Sequence, residues 1–146
     1  MQIEHRIPIE APPEAIFRIY EDVKNWHTWD PDTKQATLDG PFQVGSRGRL
    51  VPTKGNVVPM VLTHAVPGRS FTVESKILFF RMVFEHELEP GQGSTEVIHR
   101  VTFTGLLTLV LGPMLSKQLN AGLPVTLSRL KALAESRSAA NHSLNR

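Results

Sequence analysis

The chain has 146 residues, of which 40% are hydrophobic and 21% are charged, a composition typical of one globular domain rather than a disordered chain. It contains no cysteine, which excludes disulfides, thiol nucleophiles and Cys-ligated metal centres. Its 16 Lys and Arg residues stand against 14 Asp and Glu, and they form no continuous basic run, so we expect no nucleic-acid partner.

The first part of the chain predicts one strand and two short helices. Apolar and polar side chains alternate over residues 3–9, which is typical of a half-buried strand, and Pro8 indicates a sheet edge. The segment Ala11-Pro12-Pro13-Glu14 predicts the start of a helix, because proline suits the first helical position, which needs no backbone N–H. A second short helix or turn is predicted over residues 22–28, and it ends before Pro31.

The middle of the chain predicts β structure. Turn residues divide residues 33–106 into runs of about strand length, which favours an antiparallel meander over βαβ units. One turn is expected over residues 77–80, although this segment contains none of the usual turn residues. With the first strand, the chain therefore predicts a sheet of about seven strands.

The last hairpin of this region allows a prediction of register. We expect Glu89 to pair with Ser94 across a four-residue loop. This pairing puts the apolar side chains of both strands on one face, which supports it. It also places His86 opposite Val97 and diagonal to His99.

A long helix is predicted at the end of the chain. Apolar residues recur every three to four positions from Leu119 to Ala134, as on one face of a helix. Gly112-Pro113 predicts the start of this helix, and Pro124 predicts a kink. The polar end predicts fraying, so we assign one domain to residues 1–136 and a disordered tail to residues 137–146.

No segment of the sequence predicts membrane insertion or secretion. The longest apolar run, Leu106–Leu115, falls short of the roughly 20 residues that a spanning helix needs. The N-terminus lacks the basic start and apolar run of a secretory signal. We therefore expect a cytoplasmic protein without stable membrane insertion.

Several short motifs resemble one known family. In chain order they are Ile9–Phe17, Trp26–Pro31, Leu38–Phe42, Pro67–Arg69 and Leu130–Glu135. Their order and spacing are similar to those of the polyketide cyclase/dehydrase family, within the START-like (SRPBCC, helix-grip) superfamily. The resemblance covers residues 1–136. It implies an α+β helix-grip fold, in which a curved seven-stranded antiparallel sheet with two short helices wraps on the long C-terminal helix around a hydrophobic cavity.

Three histidines fall on faces predicted to point inward. The strand order of the family implies that His5, His99 and His86 lie on three adjacent strands. They are the candidate catalytic residues, because histidine titrates near neutrality and can orient a ligand carbonyl or move a proton. The alternative is that each is a packed histidine satisfied by backbone, Tyr20 or water. No local spacing favours a zinc site, so we expect no metal and no cofactor.

A set of mostly apolar side chains is expected to line the cavity. Trp26 and Trp29 either form a wall that stacks on a flat ligand or anchor the short helices to the sheet. Phe79 and Phe80 either form an apolar lip or belong to the core. The full set of predicted ligand-binding residues is Trp26, Trp29, Met60, Leu62, Phe71, Phe79, Phe84, His86, His99, Phe103, Leu119 and Leu123.

Three functions remain open at this point. The first is binding, transport or sensing of a small hydrophobic molecule, lipid-like or aromatic and polyketide-like, by a monomer or homodimer. The second is an aromatase/cyclase- or dehydratase-like enzyme, in which His86, His99 or His5 polarises a carbonyl and accepts a proton. The third is a protein-interaction module that uses the outer face of the sheet and keeps a vestigial cavity. Fold alone does not decide among them.

Overall fold

The computed structural model describes residues 1–144 of the chain. Strand β1 (Gln2–Ile9) is followed by helix α1 (Pro13–Glu21) and a 3₁₀ helix (Val23–Thr28). Six more strands follow: β2 (Thr33–Leu38), β3 (Arg47–Pro52), β4 (Val58–Val66), β5 (Ser70–Ile77), β6 (Phe80–Pro90) and β7 (Thr95–Thr104). Helix α2 (Thr108–Leu144) ends the described part.

The strands form one curled antiparallel sheet in the order β1-β7-β6-β5-β4-β3-β2. The predicted fold class is confirmed: α2 packs on the concave side, mainly against β1 and β7, and α1 packs beside it. Pro8 lies on the edge strand β1, where a missing N–H costs no ladder bond. Helix α1 starts within the predicted segment, with Pro12 as its N-cap and Pro13 as its first residue.

The predicted register of the β6–β7 hairpin is wrong by two residues. Pro90, and not Glu89, is the last residue of β6 to pair, and its partner is Thr95. The backbone N–H of Gly91 donates to the carbonyl of Ser94 at 2.8 Å and closes the loop. A shift of two residues leaves every side chain on the same face, so the alternation of apolar residues does not distinguish the two registers.

Helix α2 begins earlier than predicted, at Thr108 instead of Gly112-Pro113. Residues 106–111 are apolar on nearly all sides, so they show no helical periodicity to reveal the first turn. The helix continues to Leu144 and so includes most of the predicted tail, whose last two residues lie outside the described part. None of the helices described is both long and apolar enough to cross a bilayer.

Two apolar clusters hold α2 on the sheet. The larger joins α1, the 3₁₀ helix and the inner face of the sheet to Leu127, Leu130 and Ala134 of α2. The smaller joins Ile3, Phe80, Val101 and Phe103 to Leu123 and the first half of α2. The helix therefore packs closely along its second half, while its first half rests on a smaller core.

The outer face of the sheet is polar and centred on Arg100 of β7. Its guanidinium pairs with Glu4 at 2.7 Å and with both Glu85 and Glu87 at 3.0 Å, and so links β1, β7 and β6. Hydrogen bonds to these carboxylates raise the pKa of Arg100, and its hydrogen bond lowers the pKa of Glu4. One cation therefore bridges three neighbouring carboxylates.

Replacing Arg100 with methionine should lower the free energy of unfolding by about 1–2 kcal/mol, because three carboxylates then repel one another. Urea unfolding at low and high salt measures this loss, which should shrink as salt screens the repulsion. Arg6→Met is the matched control, because the Arg6 side chain is 49% exposed and pairs with Glu4 alone among the described residues. Equal losses for the two variants would contradict the prediction.

Candidate ligand-binding site

Three histidines form one row across the inner face of the sheet. Strand pairing places His5 directly opposite His99, and His99 directly opposite His86. The predicted register placed His86 opposite Val97. The actual partner of His86 is His99, because the true register is shifted by two residues. The ring centroids of His86 and His99 lie 4.6 Å apart in an edge-on arrangement. The sequence predicted that the three side chains point to the same face of the sheet. It did not predict that they lie directly opposite one another in one row.

Two members of this row, His99 in the middle and His5 at one end, each meet a polar group from a different helix. His99 is buried, and a hydrogen bond of 2.8 Å joins its Nε2 to the hydroxyl of Tyr20 on α1. His5 Nε2 donates to Oδ1 of Asn120 on α2 at 2.8 Å. The expectation that Tyr20 satisfies an inward histidine is thus met for His99. The row is tied to both helices that cover the sheet.

His86 is held in one tautomer by its neighbour Phe71. Its Nδ1 lies 3.3 Å from the carbonyl of Phe71, and because a carbonyl only accepts, Nδ1 carries the proton. The two rings are stacked, with centroids 3.9 Å apart and planes 2° from parallel. With Nδ1 protonated, Nε2 of His86 presents a lone pair, so it is a hydrogen-bond acceptor.

Burial keeps His86 and His99 uncharged at neutral pH. It lowers the pKa of His86 to about 4, and burial together with the nearby His86 lowers the pKa of His99 well below its usual range. Burial also raises the pKa of Tyr20, which stays a phenol. These three side chains therefore offer neutral donors and acceptors rather than charges.

Two tryptophans at the 3₁₀ helix are buried in the core, and one of them, Trp29, packs against this row. Trp26 is buried, and its Nε1 donates to the backbone carbonyl of Tyr20 at 2.8 Å, so it anchors the helical segment to the core. Trp29 is buried next to His99, with ring centroids 6.3 Å apart. Its Nε1 is a buried donor without a partner among the described residues.

A strip of the inner face stays accessible to solvent. Met82 and Phe84 point inward from strand β6 but are only half-buried, whereas Val101 beside them on β7 is buried. Leu115 and Leu119 on the first half of α2 are also half-buried. We call this strip between β6 and α2 the inner cleft.

Two pockets formed by the described residues lie outside the space between sheet and helix, where the enclosed cavity was expected. One, of about 350 Å³, lies over β4–β6 and is lined mainly by outer-face residues such as His64 and Glu85, together with His86. The other, of about 280 Å³, lies between α1 and the β4–β5 turn and includes Arg18 and Gly68. Beneath α1 and the 3₁₀ helix, aromatic rings packed around Phe71 fill the interior where part of that cavity was expected.

The sequence matches one family model over almost its whole length. The model, described as polyketide cyclase / dehydrase and lipid transport, matches residues 1–135. The chain belongs to this family. The resemblance predicted from the short motifs is confirmed.

Solved structures of low identity share the fold of this family member. TTHA0849 of Thermus thermophilus is 16% identical with a TM-score of 0.75, and the match covers 94% of this chain and 99% of that one. A START superfamily protein of Mycobacterium smegmatis is 18% identical with a TM-score of 0.74, covering 92% and 97%. The di-domain ARO/CYC StfQ from the steffimycin biosynthetic pathway is 15% identical with a TM-score of 0.77, covering 94% and 51%. No significant match to a curated protein is found.

Most predicted lining residues of this polyketide cyclase/dehydrase family member point to the inner side of the sheet. Inward positions on the strands are held by Met60, Leu62, Phe71, Phe84, His86, His99 and Phe103, and Leu119 and Leu123 face them from α2. Phe79 is the exception: it lies on the β5–β6 turn and is 59% exposed, while Phe80 beside it is buried in the core.

Sequence reasoning missed two polar residues of the site. Ser75 of β5 is buried on the inner face, and its hydroxyl has no partner among the described residues. Alternation with Phe71 and Val73 along β5 was the signal that places it inward. Asn120 carried no such signal, because its contact with His5 depends on how α2 crosses β1. No group of His, Asp or Glu in the described range is arranged to hold a metal ion.

Proposed function

We propose that this protein binds a small hydrophobic molecule, lipid-like or aromatic, in the inner cleft. The observation that carries the proposal is the row of three histidines on a mostly apolar face, two of which, His86 and His99, burial keeps uncharged. Ligand sites commonly combine an apolar wall with a few polar groups that set orientation. Burial of apolar ligand surface supplies affinity at about 25 cal/mol per Å², before the costs of association are subtracted.

Two unpartnered polar groups favour a ligand that carries a carbonyl or hydroxyl. The Ser75 hydroxyl and the Trp29 indole N–H are buried without a partner among the described residues. Such groups cost free energy unless something pairs with them. A ligand with a polar atom next to an apolar body would satisfy them. The family description, which names both polyketide cyclases and lipid transport, is consistent with such a ligand.

Ser75→Phe should weaken binding of an uncharged apolar fluorophore, N-phenyl-1-naphthylamine, by about tenfold or more, because the ring fills space beside the cleft. Thr72→Phe is the matched control: Thr72 lies on the same strand and faces outward, so its substitution should leave affinity unchanged. Fluorescence titration measures both affinities, and thermal unfolding checks that both variants fold.

The binding proposal fails if the folded wild type does not enhance fluorescence, or if Thr72→Phe weakens binding as much as Ser75→Phe. Native mass spectrometry of the freshly purified protein tests it independently. A copurified mass that Ser75→Phe no longer retains would support it and would also identify the ligand class.

A second candidate function is an aromatase/cyclase-like enzyme. It is favoured by the lone pair on His86 Nε2 beside the hydrogen-bonded pair of His99 and Tyr20. In this role His86 accepts a proton from a carbon next to a carbonyl that Tyr20 or His99 polarises. If the protein is a carrier, the His86→Gln variant should keep most of the affinity for its ligand. If it is an enzyme, this variant should still bind an activated polyketide mimic but should lose both its turnover and the pH dependence of that turnover.

A further inference from the structure

One end of the molecule exposes a continuous group of large apolar side chains. The β5–β6 turn meets the start of α2 there, because the backbone N–H of Leu107 donates to the carbonyl of Phe79 at 3.0 Å. The group, which we call the apolar tip, consists of Leu78, Phe79, Leu106, Leu109, Val110 and Met114, each more than half exposed. Monomeric proteins rarely expose so many adjacent large apolar side chains without a binding role.

The first two turns of α2 are apolar on both sides. Leu107 and Leu111 pack inward on the smaller core cluster, while Leu109, which is 84% exposed, and Val110 point away from it. From Lys117 onward the outward face becomes polar. A helix that is apolar on all sides is usually buried on all sides. The start of α2 is buried only on the side that faces the smaller core cluster.

The turn that carries Phe79 is unusual in conformation as well as in composition. Phe79 has φ of 62°, in the left-handed region that bulky side chains rarely adopt and that glycine or asparagine would occupy without strain. A strained, exposed aromatic residue is typical of functional positions. The conformation of the turn therefore does not explain why an exposed phenylalanine occupies this position.

The charges around the tip are mainly basic. No Asp or Glu occurs between Glu96 and Glu135, a range that includes all of the tip on α2. Lys117 lies one helical turn after Met114, and Lys76 precedes the β5–β6 turn. The nearest carboxylate on β5, Glu74, is paired with Arg81.

We propose that the apolar tip docks on the surface of an anionic phospholipid bilayer. The tip is formed by a turn and a helix start, and its side chains have no hydrogen-bonding groups, so it suits insertion among acyl chains better than a polar protein interface. Lys76 and Lys117 are placed to meet lipid phosphates. Docking does not depend on the proposed ligand, although it would bring a bilayer to the half of α2 that lines the inner cleft.

Flotation with two kinds of vesicle tests the proposal. The wild-type protein should bind vesicles of phosphatidylcholine with phosphatidylglycerol more tightly than vesicles of phosphatidylcholine alone, and high salt should weaken this preference. Leu109→Ser and Phe79→Ser should each weaken binding about tenfold. Lys117→Glu should weaken binding by about fivefold or more, on the anionic vesicles only. Val44→Ser is the matched control, because Val44 is 59% exposed and lies away from the tip.

Three results would overturn the proposal. The first is a wild type that floats with neither vesicle, and the second is a Val44→Ser variant that loses as much binding as Leu109→Ser. The third is a wild-type dimer in light scattering that Leu109→Ser converts to a monomer, which would assign the tip to a second copy of the chain. Fluorophore binding by Leu109→Ser separates this test from the proposed function, because the inner cleft should bind equally well in that variant.

Discussion

Phe71→Ala should lower the free energy of unfolding by about 3–5 kcal/mol, the range for truncating a buried aromatic side chain. Phe71 has no exposed surface and lies at the centre of the larger core cluster. The rings that pack against it belong to Phe17, Tyr20, Trp26, Phe42 and His86. These rings come from α1, the 3₁₀ helix, the β2–β3 loop and β6, so the cavity left by truncation cannot collapse by moving one element.

Urea unfolding followed by tryptophan fluorescence measures this loss. Phe79→Ala is the matched control, because Phe79 is 59% exposed and its removal should change stability by less than about 0.5 kcal/mol. Phe71→Leu should cost less than Phe71→Ala, since it keeps most of the volume. A loss below about 1 kcal/mol for Phe71→Ala would mean that the ring cluster is not the centre of the core.

Lowering the pH from 7 to 4 should destabilise the protein by about 3 kcal/mol through His86 alone. Its pKa is about 4 in the fold against 6.5 in the unfolded chain. Between these values the unfolded state binds a proton that the folded state excludes, so stability is complete above pH 6.5 and falls as the pH drops. His99 acts in the same direction, because its pKa is also lowered by burial.

Urea midpoints at pH 7, 6, 5 and 4 test this dependence, and His86→Gln should flatten it in this window. The carboxylates Glu4, Glu74 and Glu135 have lowered pKa values, so their contribution is lost only below about pH 4.5. Asp30 acts in the opposite direction, because burial raises its pKa and protonation then favours the fold. A wild type whose stability does not change between pH 7 and 5 would contradict the lowered pKa values of His86 and His99.

The fold was predictable because its signals are local or periodic. Proline at the start of α1, turn residues between strands and alternation along β1 all depend on neighbours in the chain. The start of α2 was not predictable, since a segment that is apolar on both faces has no period. The outward side of that segment includes Leu109 and Val110, which are exposed and form part of the apolar tip.

The candidate site divides in the same way. Alternation places His5, His86 and His99 on the inner face, and the sequence therefore determined which histidines point inward. Their alignment in one row depends on the β6–β7 register. The alternation of apolar residues does not determine that register, because a shift of two residues keeps each side chain on the same face. The contact of Tyr20 with His99 joins residues 79 positions apart, and only packing of α1 on the sheet creates it.

By itself, the sequence determined the order of elements, the face that each strand buries and membership of the polyketide cyclase/dehydrase and lipid transport family. Only the tertiary structure decided the strand register, the filling of the interior around Phe71 and the meeting of the β5–β6 turn with the start of α2. The reason is that side-chain direction follows from backbone geometry over a few residues, whereas register, void space and surface patches depend on how distant segments pack together.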